Sequence, residues 1–208
     1  MRTFDENERM TPLDRIDLVL ASTSRYRREL LSRLTSRFRQ ESPQVDEAAL
    51  AEETPAQLAA RLATAKARAI AVRNPGALII GSDQVPDCAG TVLGKPGGLE
   101  QARQQLRASS GANVVFHTAV CLIDTRETPF REFTAIDTTR VVFRTLEEVE
   151  IERYLERERP FDCAGSFKSE GLGIALFEGI ESSDPTALIG LPLIALCGLL
   201  RQAGVSVI

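Results

Sequence analysis

Leu18-Val19-Leu20-Ala21-Ser22-Thr23-Ser24-Arg25-Tyr26-Arg27-Arg28-Glu29-Leu30-Leu31 begins as an apolar run, continues through three hydroxyl residues and an arginine cluster, and ends with apolar residues at helical spacing. This pattern predicts a buried strand, a tight turn and the first turn of a helix. Backbone N–H groups, hydroxyls and guanidinium groups would then meet where the helix begins, an arrangement with which proteins bind phosphate. Ser and Thr are also ordinary N-cap residues, so a purely structural interpretation stays open.

The rest of the chain alternates between apolar and amphipathic segments, which predicts an α/β protein with a mixed sheet. Strands are predicted at 17–21, 78–81, 114–123, 130–143 and 172–177, with a short one near Phe38. Helices are predicted at 25–36, from Thr54-Pro55 to about residue 73, at 99–108, at 146–158, and from an Asp184-Pro185 cap to about residue 203. Neither GxGxxG nor GxxxxGK[ST] is present, so dinucleotide-binding and P-loop chemistry have no support.

Composition limits the function classes. The 208 residues are 43% hydrophobic and 26% charged with a net charge of −4, which gives no general attraction to nucleic acid or to an anionic membrane. The four cysteines are far apart and form no CxxC pair, as expected of reduced thiols in a cytoplasmic protein. Residues 1–14 are polar and are predicted to be a disordered extension preceding one domain at 15–208.

Lysine is scarce, with three residues against 22 arginines. Lys66, Lys95 and Lys168 are therefore candidates for positions where only a compact ammonium on a flexible stem suffices. The alternatives are ordinary ones: Lys66 as an exposed helix residue, and Lys95, between Gly94 and Pro96, as an exposed turn residue. Lys168 lies in a small, polar loop at 164–173 that either packs against a ligand or turns a corner.

Two carboxylate positions are candidates for chemistry. Asp83 follows the apolar run at 78–81, where α/β sheets bind ligands, and is either a buried turn residue or a catalytic carboxylate. Glu47 follows Asp46 in a loop, and such pairs are either solvated or, near phosphates, ligands of Mg²⁺. The only histidine, His117, lies in a strand-like run and is predicted to be a packing residue.

Five segments occur in an order that resembles one known family. They are Leu20-Ala21-Ser22-Thr23-Ser24 with Arg27, Val45-Asp46-Glu47, Gly81-Ser82-Asp83-Gln84, Gly94-Lys95-Pro96 and Ala164-Gly165-Ser166-Phe167-Lys168-Ser169-Glu170-Gly171. Together they resemble the Maf family of nucleoside triphosphate pyrophosphatases over about residues 17–204. The resemblance implies an α/β, mixed-sheet Maf/inosine-triphosphatase-like fold with two lobes around a central cleft.

The resemblance also implies a reaction, namely hydrolysis between the α and β phosphates to give a nucleoside monophosphate and pyrophosphate. Asp83 would be the catalytic carboxylate, acting as a general base or through a divalent metal cation, Mg²⁺ or Mn²⁺. Glu47 and Asp83 would bind that metal. The triphosphate would be held by Ser22, Arg27, Lys66 and Lys95.

Specificity is expected from Tyr26, Gln84 and Glu170. The segment Phe167-Lys168-Ser169-Glu170-Gly171 resembles the branch of the family associated with 7-methyl-GTP, whose cationic base suits an aromatic face and a carboxylate. The alternatives are a dTTP/UTP pyrophosphatase of the same family and a non-catalytic nucleotide-binding regulator of cell division. The expected partner is a nucleoside triphosphate, without nucleic acid or membrane. Since family members are often dimeric, a homodimer is a further expectation.

Overall fold

The computed structural model describes residues 10–208, which contain seven strands and five α-helices. The strands are β1 (Leu18–Ala21), β2 (Arg39–Glu41), β3 (Leu78–Cys88), β4 (Thr91–Val92), β5 (Asn113–Asp124), β6 (Arg131–Phe143) and β7 (Phe177–Glu181). The helices are α1 (Arg25–Leu31), α2 (Pro55–Ala71), α3 (Leu99–Ser109), α4 (Glu148–Glu158) and α5 (Leu193–Gln202). The predicted α/β class with a mixed sheet is confirmed.

One sheet runs through the molecule in the order β2-β1-β3-β5-β6-β7, and β4 pairs with β3. β1 lies parallel to β2 and β3, whereas the pairs β3/β5, β5/β6 and β6/β7 are antiparallel. β1 pairs only with residues Leu78 to Gly81 of β3, while β5 pairs with β3 over its whole length. The second half of β3 therefore has an open side, next to which a cleft forms.

The sequence predicted that the strand starting at Leu78 ends before Ser82, and this is wrong. The strand continues to Cys88 because β5 supplies hydrogen bonds along its whole length. Pro86 is tolerated there since the strand lacks a long partner on its other side, and a proline cannot donate a hydrogen bond to one. Asp83 thus lies within a strand rather than in a turn.

Alternate residues of β1 and β3 contribute to cores on opposite faces of the sheet, as strand geometry requires. Leu18, Leu20 and Ile80 pack with α1 and α5, whereas Val19 and Ile79 pack with α2. A third core lies among α3, α4 and the far half of the sheet and includes Phe116, Phe143 and Phe167.

Helix α2 lies unusually close to β3. A Cβ added to Gly81 would be 2.2 Å from the Ala63 carbonyl oxygen and 2.7 Å from the Ala67 nitrogen. Only glycine fits there, and Ala63 and Ala67 are themselves small and fully buried. The close packing brings Lys66, on the same helix, beside Asp83, two residues beyond Gly81.

Two predicted elements in the C-terminal part need correction. Residues 172–176 form a 3₁₀ turn and the strand begins at Phe177, so the strand predicted at 172–177 lies largely too early. The last helix begins at Leu193 because a 3₁₀ turn at 187–189 and Gly190, with φ of 122°, interrupt the chain before it. The N-cap of that helix is Pro192 rather than Asp184, although the Asp184 carboxylate accepts a hydrogen bond from the Ile194 nitrogen in its first turn at 2.6 Å.

The predicted extension at 1–14 falls partly outside the described residues, since residues 1–9 are not among them. Within the described part, Pro12–Arg15 form a 3₁₀ turn and the Leu13 side chain is fully buried in the first core. The packed domain therefore begins before the predicted boundary at residue 15. No helix within 10–208 is long and apolar enough to cross a membrane.

Candidate functional site

A cleft of about 680 Å³ lies beside the second half of β3. It is bounded by the start of α1, by α2, by the loop around Gly94 and by the segments at 162–170 and 188–190. All nine side chains predicted from the sequence line it: Ser22, Tyr26, Arg27, Glu47, Lys66, Asp83, Gln84, Lys95 and Glu170. The structure thus gathers in one place residues that lie as many as 148 positions apart, from Ser22 to Glu170.

The centre of the cleft holds a lysine between two carboxylates. The Lys66 Nζ atom lies 2.6 Å from Asp83 Oδ1 and 2.6 Å from Glu47 Oε1. Lys66 and Asp83 are buried, whereas the Glu47 side chain is 61% exposed at the rim. Lys66 is therefore not the exposed helix residue of the ordinary interpretation, and Asp83 is a buried carboxylate in contact with the Lys66 ammonium.

Electrostatics keep the rim carboxylate ionised. Partial burial raises the pKa of Glu47, but the hydrogen bond from Lys66 and the charges of Lys66, Lys95 and Arg27 lower it by more. The net pKa lies below the ordinary value for glutamate. Glu47 can therefore accept hydrogen bonds or bind a cation at neutral pH.

Arg27 is held by backbone as well as side-chain contacts. Its Nε donates to the Gly190 carbonyl at 2.8 Å, and its Nη1 lies 3.5 Å from Ser22 Oγ. Burial lowers the pKa of Arg27, and the charges of Asp83 and Glu47 oppose this, so the guanidinium stays charged. Ser24 is the N-cap of α1 and accepts from the Arg27 nitrogen at 3.4 Å, so the structural interpretation of the hydroxyl run is confirmed for Ser24, and phosphate binding stays a prediction.

Gln84 and its neighbour Ser82 fix one wall of the cleft. Gln84 Nε2 lies within 3.1 Å of Thr118 Oγ1 and of the carbonyls of Ala187 and Leu188. Ser82 Oγ donates to the carbonyls of Ala119 and Gly190. These contacts tie the segment that positions Arg27 to the sheet, a role that no sequence pattern indicated.

The cleft lining also includes an aromatic side chain, Tyr26, within a polar network. The Tyr26 hydroxyl lies 3.2 Å from Asp162 Oδ2 and 2.6 Å from Arg25 Nη2. The Arg25 guanidinium carbon lies 4.7 Å from the centroid of the Tyr26 ring. Sequence reasoning missed Arg25 and Asp162, and the only signal available was that Asp162 comes two residues before the segment starting at Ala164.

The other two lysines lie in different places, Lys95 in the cleft and Lys168 outside it. Lys95 is exposed in the cleft, on a loop that Gln105 anchors, because Gln105 donates to the Gly94 carbonyl at 3.0 Å and accepts from Ser166. Lys168 does not line the cleft; its Nζ donates to the Glu158 carbonyl at 2.9 Å and so anchors its loop to α4. Glu170, two residues later, is exposed at the cleft.

His117 is outside this cluster, as predicted for a packing residue. Burial lowers its pKa, so the ring is neutral at pH 7. Its Nδ1 atom is buried and has no hydrogen-bond partner within residues 10–208.

The donor set of the cleft fits a hard divalent cation completed by substrate. Across the described residues, no group of three or more His, Cys, Asp or Glu side chains could hold a metal ion without help. Glu47 and Asp83 nevertheless both contact the Lys66 ammonium at 2.6 Å, so their carboxylates lie in the same part of the cleft. Mg²⁺ is commonly bound by one or two carboxylates with water and substrate phosphates, and Mn²⁺ accepts the same oxygen ligands.

Comparison with known proteins agrees with this geometry. The chain is similar to proteins named 7-methyl-GTP pyrophosphatase from Xanthomonas oryzae pv. oryzae (60% identity, covering 90% of this chain and 96% of the relative), from Burkholderia thailandensis (57%, covering 90% and 87%) and from Polaromonas sp. (54%, covering 95% and 89%). A family model described as Maf-like protein matches residues 17–203. With a family match over residues 17–203 and relatives at this identity, the chain belongs to the Maf family.

Proposed function

We propose that this protein hydrolyses 7-methyl-GTP to 7-methyl-GMP and pyrophosphate and so removes a modified nucleotide from the nucleotide pool. The observation that carries the proposal is the buried Lys66 ammonium in contact with both Asp83 and Glu47, in a cleft that also holds Arg27 and Lys95. The names of the relatives support the same substrate.

The cationic side of the cleft would bind the triphosphate. Arg27, Lys66 and Lys95 supply three positive charges, and Ser22 supplies a hydroxyl. The Gly190 carbonyl accepts from Arg27 Nε and Ser22 Oγ lies 3.5 Å from Nη1, so we propose that Nη2 faces the phosphate oxygens. Because Arg27 and Lys66 are held by protein contacts before substrate arrives, they would stabilise the negative charge that develops on the leaving pyrophosphate.

We propose that Asp83 acts as the general base. Its Oδ1 is fixed by Lys66, so the carboxylate has a defined orientation toward the cleft. Water would attack the α-phosphorus and lose its proton to Asp83, while the bond to the oxygen bridging the α and β phosphates breaks and pyrophosphate leaves. The oxygen of the water becomes part of the nucleoside monophosphate, its proton goes to Asp83, and pyrophosphate is the second product.

We propose that Glu47 and Asp83 also hold Mg²⁺ or Mn²⁺ together with the substrate phosphates. When bound, such an ion would neutralise phosphate charge and polarise the phosphoryl oxygens. Lys66 would keep the two carboxylates together with or without the bound ion, since it contacts both.

Tyr26, Gln84 and Glu170 are proposed to select the base. A 7-methylated guanine is cationic, so it is attracted to the face of an aromatic ring and to a carboxylate. Tyr26 and Glu170 supply one of each within the same cleft. The Gln84 nitrogen is bound to protein acceptors, so Gln84 would contribute through its side-chain oxygen.

The test is pyrophosphate release by the purified protein with Mg²⁺ or Mn²⁺, comparing 7-methyl-GTP, GTP, dTTP, UTP and CTP. We expect a strong preference for 7-methyl-GTP. Preference for dTTP and UTP would overturn the specificity assignment, and no turnover of any nucleotide would favour the non-catalytic regulator. Chromatographic mass and cell fractionation would test the homodimer and the cytoplasmic location, which stay predictions.

The variant Asp83→Asn tests the proposed general base. It should keep the fold and nucleotide binding but lose nearly all hydrolysis. Asp87→Asn is its control, because Asp87 lies on the same strand, accepts a hydrogen bond from the Gly90 nitrogen and does not line the cleft. A folded Asp83→Asn protein with wild-type rates would contradict the role given to this carboxylate.

A further inference from the structure

The contacts of Tyr26 join two parts of the chain that are far apart in sequence. Tyr26 lies in the first turn of α1, and Asp162 lies 136 positions later, in the segment that follows α4. The hydroxyl of Tyr26 is 3.2 Å from Asp162 Oδ2 and 3.4 Å from Oδ1. Both residues line the cleft, so the contact connects two of its walls.

Arg25 completes the network from the other direction. Its guanidinium lies 2.6 Å from the Tyr26 hydroxyl, 4.7 Å from the ring centroid and 3.4 Å from Asp162 Oδ2. The Tyr26 ring is thus held at its hydroxyl by Asp162 and on its face by Arg25. A ring held at two points has little freedom to rotate, which lowers the entropic cost of stacking a base against it.

These contacts contribute little to folding stability. The Arg25 and Asp162 side chains are 63% and 54% exposed, and exposed ion pairs contribute about 0–1 kcal/mol. The Asp162 charge is also compensated by Arg25 and screened by salt, so its direct attraction for a cationic base is weak. What remains is the hydrogen bond to Tyr26 and its effect on the position of the ring.

We propose that Asp162 is a positioning residue for base recognition. By accepting the hydrogen bond of the Tyr26 hydroxyl, it fixes the aromatic surface against which a cationic, methylated purine stacks. This inference rests on the proposed function, because it takes the base to lie at the Tyr26 end of the cleft.

The test uses the full-length protein and the rate of pyrophosphate release from 7-methyl-GTP. Asp162→Ala should raise KM by about three- to tenfold, the value of one net hydrogen bond, with kcat within about twofold of wild type. Asp162→Asn should restore KM, because an amide oxygen still accepts from the tyrosine hydroxyl. Tyr26→Phe should match Asp162→Ala, and the double variant should show no further rise.

Asp17→Ala is the matched control. Asp17 also forms an exposed ion pair, with Arg39 at 2.8 Å, but it does not line the cleft. Its KM should equal that of wild type. Melting temperatures of all variants establish that they are folded, and Tyr26→Phe provides the same test by a separate change if Asp162→Ala melts early.

Three results would overturn the positioning role. They are an unchanged KM for Asp162→Ala, a KM for Asp162→Asn as high as that for Asp162→Ala, and additive effects in the double variant. Each of these requires a wild-type protein that hydrolyses 7-methyl-GTP. Absence of that activity from wild type would instead overturn the proposed function, and with it this inference.

Discussion

Replacing Lys66 by methionine isolates the energetic role of the central lysine. Methionine keeps the length of the side chain but removes the ammonium, which leaves Asp83 without a cation at 2.6 Å. The side chains of Lys66 and Asp83 are 8% and 11% exposed, and removal of one partner of a buried pair costs about 3–5 kcal/mol. The Glu47 contact adds little because that carboxylate reaches water. For a chain of this size, the loss corresponds to a fall in Tm of about 6–20 °C.

Thermal and urea unfolding would measure the change, with Arg68→Met as control. Arg68 lies on the same helix but pairs with Glu132 at the surface, so its loss should cost less than about 1 kcal/mol. The double variant Lys66→Met/Asp83→Leu should recover at least half of the lost stability while staying inactive, since the Asp83 charge left without Lys66 is removed as well. A Lys66→Met protein as stable as Arg68→Met would refute the reasoning.

Three further predictions concern packing, acid stability and specificity. Gly81→Ala should lower stability by about 1–3 kcal/mol in thermal unfolding, because the new Cβ would lie 2.2 Å from the Ala63 carbonyl and push α2 away from β3. Asp124 has its pKa held well below the ordinary value, chiefly by the hydrogen bond from Arg126, so it adds stability above about pH 4 that is lost as the pH falls toward the folded-state pKa. Urea unfolding as a function of pH should therefore show a flatter acid limb for Asp124→Asn, and an unchanged limb would exclude this origin. Glu170→Gln should lower kcat/KM for 7-methyl-GTP by at least about tenfold while sparing UTP, and equal losses for the two nucleotides would remove Glu170 from specificity.

The sequence identified many of the side chains that line the cleft because each comes with a local signal. Ser22 and Arg27 follow an apolar run, Asp83 follows another, and Lys95 is flanked by Gly94 and Pro96. Each of these signals comes from residues that are adjacent in the sequence. Ser22, Arg27, Asp83 and Lys95 all line the cleft. Asp162 has no such signal, since its partner Tyr26 is 136 positions away and only the fold brings them together.

Lysine scarcity was a weaker guide. Scarcity alone makes Lys66, Lys95 and Lys168 equal candidates for the cleft, yet Lys168 binds Glu158 outside the cleft. A lysine stem is long and flexible, so position in the sequence does not determine which way the ammonium points. The fold determines the direction of the Lys66 ammonium. Helix α2 brings it to Asp83 only because Gly81 allows the helix to approach β3.

The prediction that the strand ends before Ser82 is wrong, and the reason also explains where the cleft lies. Polar residues normally end a strand prediction, but a strand continues wherever a partner supplies hydrogen bonds, and β5 does so as far as Cys88.

On the other side, β1 is only four residues long, and its last residue, Ala21, pairs with Gly81. The chain therefore leaves the sheet beside Ser82, one residue before Asp83, and α1 begins where β1 would have continued. Ligands in α/β sheets bind at the carboxyl ends of parallel strands, and here that edge comes from the difference in length between β1 and β3. It follows that lengthening β1 into the hydroxyl run would fill the cleft with backbone, so the short strand is as necessary to the site as the side chains that line it.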